Sequence, residues 1–327
     1  MALSYGLARG PRRENRGHPA RATIRPVAQR VFVTGGTGFV GKAVVRALLA
    51  QGFLVRCLVR PGSEHDLKGF ESIDRVPGDV MSPDGLAPSV EGCSALVHLV
   101  GIIREQRGRG VTFERLHAQA TRNMVALARA AGIKRYVQMS ALGTRPGARA
   151  RYHQTKWDAE EAVRAGDLEW TIFRPSIIFG RGDAFVSALG SAVKRLPAIP
   201  VLGDGRYRVQ PIPVEQVAEG FARALRTPAS VRQTYEVAGP APYAFVDLLD
   251  EIGRALGRPR VRKLHVPLAP VRAMTRALDW LPFYPVSRDQ LIMLEEESVT
   301  DPSRFFAELG LEPEPLPVGL RRMFAAS

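Results

Sequence analysis

The sequence predicts an α/β protein: a doubly wound parallel sheet followed by a smaller C-terminal substrate lobe. Three observations predict it. Arg30 to Gly41 read RVFVTGGTGFVG, a β-branched apolar run, a glycine turn and the start of a helical pattern. Strand-like and helix-like stretches then alternate on schedule as far as Gly180. The 327 residues suffice to bury a large core.

Val31, Phe32 and Val33 read as a buried first strand. Val40, Val44, Val45, Leu48 and Leu49 give the following helix its apolar stripe. Glycine is needed between them where backbone approaches a pyrophosphate and where helix lies close on strand. The helix N-terminus then offers free N–H groups and partial positive charge. Gly35, Thr37, Gly38, Phe39, Val40 and Gly41 are therefore the candidate phosphate cradle, and a dinucleotide is the expected ligand. The second strand, Leu54 to Val59, ends in Arg60-Pro61-Gly62-Ser63 without a carboxylate. A carboxylate there would bond the ribose 2′-hydroxyl of NAD. Arg60 suits a 2′-phosphate instead, so NADP(H) is favoured over NAD(H). The rival reading of Arg60 is a solvated loop residue in an arginine-rich chain.

The third strand leads to Gly78-Asp79-Val80. Ser82-Pro83-Asp84 then reads as a helix start, with Asp79 in its capping turn. Ser94 to Gly101 is the fourth strand, and Leu99, Val100 and Gly101 close it near the cofactor. His98 inside it reads as a core-edge residue rather than a catalytic one. Arg104 to Gly110 is a polar loop. Thr112 to Gly132 reads as one long helix with Phe113, Leu116, Ala120, Met124, Leu127 and Ala131 on one stripe. Arg135 to Ser140 is the fifth strand.

Twelve residues past Ser140 comes Tyr152-His153-Gln154-Thr155-Lys156. A tyrosine and a lysine four apart share one helix face. A phenol titrates near pH ~10, too high for easy proton transfer at neutral pH. A neighbouring ammonium stabilises the phenolate, and a serine hydroxyl can hold a substrate oxygen. Together they would move a proton while a nicotinamide moves a hydride. Trp170 to Gly180 forms the sixth strand and its exit. Beyond it, Phe185 to Leu196 and Val214 to Leu225 read as helices and Thr234 to Val237 as a strand. Arg206, Tyr207 and Gln210 are either substrate-facing or surface loop residues.

The GxxGxxG spacing within TGGTGFVG resembles the extended and atypical branches of the short-chain dehydrogenase/reductase superfamily, over residues 30 to 260. The resemblance implies a Rossmann domain and a catalytic Ser140, Tyr152 and Lys156, the last two also touching the cofactor. It places Asp79 and Val80 beside the adenine. It sets the backbone of Pro175, Ser176 and Ile177 against the nicotinamide carboxamide. One departure stands out: His117 occupies the place of an expected Asn in a proton relay to the lysine, which puts turnover in question. VGIIRE (100–105), YHQTKW (152–157) and SRDQLIMLEEESV (287–299) narrow the resemblance to the branch of the complex I alpha-subcomplex subunit nine accessory protein and its bacterial relatives. That branch includes proteins described as epimerase- or dehydratase-like.

The layout read from the chain is a disordered basic tail (1–29), a Rossmann domain (30–180) and a lobe (181–327) interleaved with the last Rossmann elements. The net charge of +14 does not indicate nucleic-acid binding. Residues 1 to 30 concentrate seven arginines against one acid, and the remaining charge is dispersed. Arginine dominates lysine throughout, which suggests a GC-rich genome. The tail lacks an apolar secretory core and is rich in Pro and Gly, so a disordered extension or an early start codon is expected. Cys57 and Cys93 read as core thiols, no His/Cys cluster has metal-ligand spacing, and no apolar run reaches the ~18 residues of a membrane span. The expected location is cytoplasmic.

Val266 to Pro285 carries Val271, Met274, Leu278 and Leu281 at helical spacing, with Trp280, Phe283 and Tyr284 beside Arg272 and Arg276. Such a stripe suits peripheral seating on the inner membrane or on a respiratory-complex partner; equally, it suits a lobe helix packed on the core. Two function classes follow. One is an NADP(H)-dependent oxidoreductase or epimerase on a small-molecule substrate. The other is a non-catalytic, cofactor-bearing accessory or assembly protein of respiratory complex I or quinone biosynthesis.

Overall fold

A computed structural model describes residues 29–279 and 286–325. The expectations for the basic tail, and for Trp280, Leu281, Phe283 and Tyr284, lie outside the described residues.

The main sheet begins with β1 (Arg30–Thr34), β2 (Leu54–Val59), β3 (Ile73–Pro77), β4 (Ala95–His98), β5 (Arg135–Met139) and β6 (Glu169–Pro175). Past β6 come the short strands β7 (Ile178–Phe179), β8 (Ile199–Leu202), β9 (Arg208–Val209) and β10 (Ile212–Pro213). Then β11 (Gln233–Val237) returns to the main sheet, before β12 (Tyr243–Ala244) and β13 (Lys263–Val266) complete the lobe. The seven-stranded sheet has the order β11-β6-β5-β4-β1-β2-β3, and every pair in it is parallel. The direction of winding reverses between β1 and β4, which opens a crevice beyond their carboxyl ends.

Both faces are covered, so the strands are nearly continuous apolar runs. On one face α1 (Phe39–Ala50) turns Gly41, Val44, Val45 and Leu48 inward, at the three- and four-residue spacing of one helix face. On the other face lie α2 (Ala87–Val90), α3 (Ala120–Ala130) and α4 (Arg151–Arg164), with Met124, Leu127 and Val163 packed on Phe32, Leu96 and Ile172. After β7 follow α5 (Phe185–Arg195) in the lobe and α6 (Val214–Ala224), which packs beside α1. The lobe adds α7 (Phe245–Ala255), α8 (Leu268–Leu278) and α9 (Arg288–Glu295). Then α10 (Ser303–Leu309) returns to the sheet, where Phe305 and Phe221 of α6 meet the Phe173 ring at 5.9 and 4.6 Å between centroids. Last, α11 (Leu316–Phe324) closes the lobe core with Leu320 and Met323.

Three local expectations change. The helix read over 112–132 is not uniform: Glu114–Gln119 is π-helical and only α3 is α-helical. One extra residue per turn there rotates His117 onto its buried partners. The helix expected at Ser82 is delayed to Ala87, because Ser82 N–H bonds Asp79 O in a turn. In α8 the buried residue is Thr275, while Met274 of the supposed packing stripe is 53% exposed. Arg272 ties α8 to α9 through Glu295 at 2.9 Å. Among the described residues no helix is long and apolar enough to cross a membrane.

Candidate active site

The crevice has a nucleotide side built from the glycine turn. Gly35 has φ +78°, a left-handed conformation that glycine adopts without strain, and a Cβ there would press on the Leu99 carbonyl carbon at 3.0 Å. A Cβ on Gly41 would lie 2.1 Å from Gly35 O, so only glycine lets α1 seat on the turn. Gly38 precedes α1 without a side-chain cap, and the first turn holds no acid. The leading N–H groups of α1, from Phe39 and Val40 onward, are thereby left for an anion. Gly36, not among the predicted cradle residues, faces Cys57 Sγ at 3.0 Å from its Cβ position. Thr37 and Gly38 lie at the open rim of the turn, and Leu99 is buried beneath it.

The other side is built from α4. Tyr152, Lys156 and Glu160 recur every four residues and so share the face turned to the sheet. Lys156 is 2% exposed, and its Nζ donates to Met139 O at 3.2 Å. The same Nζ lies 2.9 Å from where a Cβ of Gly101 would stand, which explains glycine at that position. Burial lowers the Lys156 ammonium to about 8, with Glu160 acting against the fall. Tyr152 is ringed by Phe113, His117 and His153 at 5.6, 5.2 and 5.3 Å between centroids. Burial pushes its phenol up to about 12, so it carries its proton at neutral pH. His117 Nδ1 meets Thr155 Oγ1 at 3.0 Å, and its Nε2 lies 3.0 and 3.1 Å from the carbonyl and N–H of Ile102. Burial, then the Lys156 charge, hold His117 well below the ordinary histidine range. A neutral His117 donates from one ring nitrogen and accepts at the other, as an amide side chain could.

A family model described as NAD(P)H-binding matches residues 35–228. The chain belongs to the NAD(P)H-binding family. It is 32% identical to the ceramide reductase of Caulobacter vibrioides over 72% of this chain and 74% of that protein. It is 28% identical to subunit 9 of the mitochondrial NADH dehydrogenase [ubiquinone] 1 alpha subcomplex of Arabidopsis thaliana, over 92% of this chain and 78% of that one. The UDP-glucose 4-epimerase of Thermotoga maritima superposes with a TM-score of 0.72 at 16% identity, over 90% of this chain and 97% of the other. That likeness shows the fold.

Within this family frame the remaining predicted residues divide. Arg60 is exposed at the end of β2, and its side chain has no polar partner among the described residues. Asp79 Oδ1 accepts from Met81 N at 2.8 Å in a turn two residues long, and caps no helix, since α2 begins only at Ala87. Val80 is buried, and its carbonyl is held by Asn123 at 2.8 Å. Val100 is half-buried and Gly101 exposed at the crevice. Pro175 O accepts from Leu142 N, Ile177 O accepts from Ile212 N, and Ser176 N donates to Val237 O. Much of that backbone is thus engaged within the fold.

Ser140 is not brought into hydrogen-bonding contact with Tyr152 or Lys156. Its hydroxyl donates to Glu160 Oε1 at 2.6 Å and lies 3.4 Å from Thr144. Glu160 is fully buried and also holds Arg174 and Arg164 at 2.7 and 2.5 Å. A buried carboxylate needs such partners, and Ser140 is one of them. The four-residue repeat from Tyr152 would have singled out Glu160. His98, read as a core-edge residue, is fully buried with Nδ1 2.6 Å from Thr34 Oγ1. Nothing local signals Asp289, whose carboxylate accepts from Tyr152 N at 3.4 Å from 137 residues away.

Proposed function

We propose that the protein reduces a ketone to a secondary alcohol with NADPH. NADPH, held by the glycine turn, would supply a hydride for the carbonyl carbon, and Tyr152 would give its proton to the carbonyl oxygen. The observation that carries this reading is the meeting of Tyr152, Lys156 and Gly101 at the crevice beside the glycine turn. A phenol that keeps its proton at neutral pH is a donor, which suits reduction more than oxidation. Lys156, charged below about pH 8, sets a positive field that favours the phenolate left behind. The exposed guanidinium of Arg60 at the end of β2 supports NADPH over NADH. A ketone related to ceramide is the first substrate to assay, because of the likeness to the Caulobacter enzyme.

A second reading, a cofactor-bearing accessory subunit of a respiratory complex, draws on two observations. Ser140 is occupied by Glu160, and α8 exposes both Met274 and Arg276. The likeness to the plant complex I subunit covers nearly the whole chain. One experiment separates the two. NADPH oxidation is followed with such ketones, and both reduced cofactors are titrated by calorimetry. Reduction that falls ~100-fold or more in Tyr152→Phe, with NADPH affinity unchanged, supports the reductase. Tight NADPH binding with no ketone reduced, and flotation with inner-membrane vesicles, supports the accessory role. Arg60→Ala is expected to weaken NADPH by about 1–3 kcal/mol and NADH little. Equal affinity for both cofactors in the wild type would overturn the NADPH assignment.

A further inference from the structure

Charge that reads as dispersed along the sequence is gathered by the fold on one side of the lobe. Residues 184–203 and 255–278 contain no aspartate or glutamate, and together they carry eight lysines and arginines. β8 lies in the first stretch and β13 in the second, and the two pair in parallel as a separate two-stranded sheet. Ile199 N donates to Arg262 O at 2.8 Å, and Arg258 Nη1 donates to Val193 O at 2.7 Å. These bonds bring the 258–262 segment against the end of α5, where Lys194 and Arg195 lie. Asp250 neutralises Lys263, and Glu295 neutralises Arg272. Lys194, Arg195, Arg258, Arg260, Arg262 and Arg276 are exposed and have no ion pair among the described residues.

The same side of the lobe exposes apolar side chains. In β8, Ile199 and Val201 are buried and Pro200 between them is exposed. The register sets Leu264 opposite Pro200 on the outward face of the sheet, where it is 61% exposed. Leu196, between Arg195 and the start of β8, is 46% exposed. The chain runs from the end of this ladder into α8, whose Leu268 would meet a Cβ on Gly203 and whose Met274 and Arg276 are exposed. Single exposed leucines are ordinary on a protein surface. Leucines set among unpaired cations, with no acid in either stretch, fit a surface that is negatively charged outside and apolar beneath.

We propose that this face, the β8–β13 sheet with the end of α5 and the 258–262 segment, seats the protein on a bilayer surface rich in anionic phospholipid. The proposal goes beyond both functional readings and depends on neither. Lys194 and the arginines meet lipid phosphates, each adding an attraction that salt screens within a Debye length. Leu196 and Leu264 reach the boundary between headgroups and acyl chains. A nucleic acid would satisfy the cations but offers the leucines no apolar layer, so anionic lipid is the occupant that uses both features.

The test is flotation of the full chain with two kinds of vesicle, phosphatidylcholine alone and an equal mixture of phosphatidylcholine and phosphatidylglycerol. Each is run in about 0.1 M and about 1 M salt, between which the screening length falls from about 10 to about 3 Å. The wild type is expected to bind the mixed vesicles about tenfold or more tightly than phosphatidylcholine alone, and to be released at high salt. Arg260→Glu with Arg262→Glu should cut binding about tenfold or more. Leu264→Ser should weaken it at unchanged charge. Melting temperatures should not move, because all three side chains are exposed. Residues 1 to 30 carry seven arginines of their own, so Arg12→Glu with Arg13→Glu is the charge-matched control, and its binding should stay within about twofold of wild type. Equal binding to both kinds of vesicle, binding to neither, or loss confined to the control variant overturns the proposal. So does binding of a short DNA duplex through Arg260 and Arg262 without flotation, which would make the partner a nucleic acid. NADPH oxidation by ketones in vesicle-free buffer reports on the reductase reading separately.

Discussion

The glycine turn and the α4 side of the crevice face each other but are built on opposite terms. On the glycine side, residues close in sequence fix one another: Gly41 fits because Gly35 O leaves no room for a Cβ, and Gly38 opens α1 with its N–H groups free. On the α4 side the partners are distant in sequence and many are ionisable. Lys156, Glu160, His117 and His153 are all buried, and Asp289 and Glu296 reach in from the C-terminal segment. Backbone geometry thus makes the cofactor side, whereas desolvated charge makes the chemical side. The first is expected to tolerate changes of pH and the second to respond to them.

Acid should break the symmetry most strongly. Burial holds His98 at about 3 and His153 at about 4, and holds His117 well below the ordinary 6.5. The unfolded chain takes up protons near 6.5 that the folded chain refuses. Stability is therefore full above pH 6.5 and falls as pH drops toward the folded values, by up to about 1.4 kcal/mol per pH unit for each histidine. Lys156 has the same sign in another window: its folded value near 8 against an ordinary 10.5 means stability rises between those pH values. Urea unfolding at pH 7 and pH 5 should show the midpoint drop, with His98→Gln flattening it. An unchanged midpoint would mean these rings are protonated in the fold.

Next in size is Gly41→Ala. Its Cβ would collide with backbone at 2.1 Å, which no rotamer relieves, and a loss of about 3 kcal/mol is expected. NADPH affinity should vanish with it, whereas the acid response should persist. A variant with wild-type melting and cofactor binding would show that α1 can lift off the turn.

Ser140→Ala separates structure from chemistry on the α4 side. It removes a hydrogen bond to the buried Glu160 carboxylate, a change of about 1.5–3 kcal/mol. Turnover of a ketone should stay within about twofold, far below the ~100-fold of an acid–base residue. A large kcat loss with unchanged stability would return Ser140 to the chemistry. The smallest effect belongs to Gly62→Ala. Gly62 has φ +88° but nothing near its Cβ position, so only backbone strain of about 1–2 kcal/mol applies, with cofactor affinity intact.

The sheet, the glycine turn and the Tyr152–Lys156 face were legible from sequence because each is written in a short period. Strand runs, the three-residue glycine spacing and the four-residue helix repeat all act between neighbours. The strand β11 was legible for the same reason, while its return to the sheet was an implication of the family resemblance. The π-helical turn at His117 was not, since the ring's partners, Ile102 and Thr155, come from other elements. Nor was the capture of Ser140, which depends on Arg174 and Arg164 making Glu160 a charged core residue. Which side of α8 is covered was not legible either, because helical spacing says which residues align, while the neighbour that buries Thr275 and leaves Met274 outside is a matter of assembly.

By itself the sequence determined that this is a doubly wound α/β protein with a dinucleotide turn and a tyrosine and lysine on one helix face. Those features follow from steric and hydrogen-bonding rules acting within a few residues. Tertiary structure alone decided which hydroxyl is free, which carboxylate is buried, and which histidines are kept neutral. Each of these depends on how much water is excluded at a point, and that is set by packing between segments as far apart as Tyr152 and Asp289.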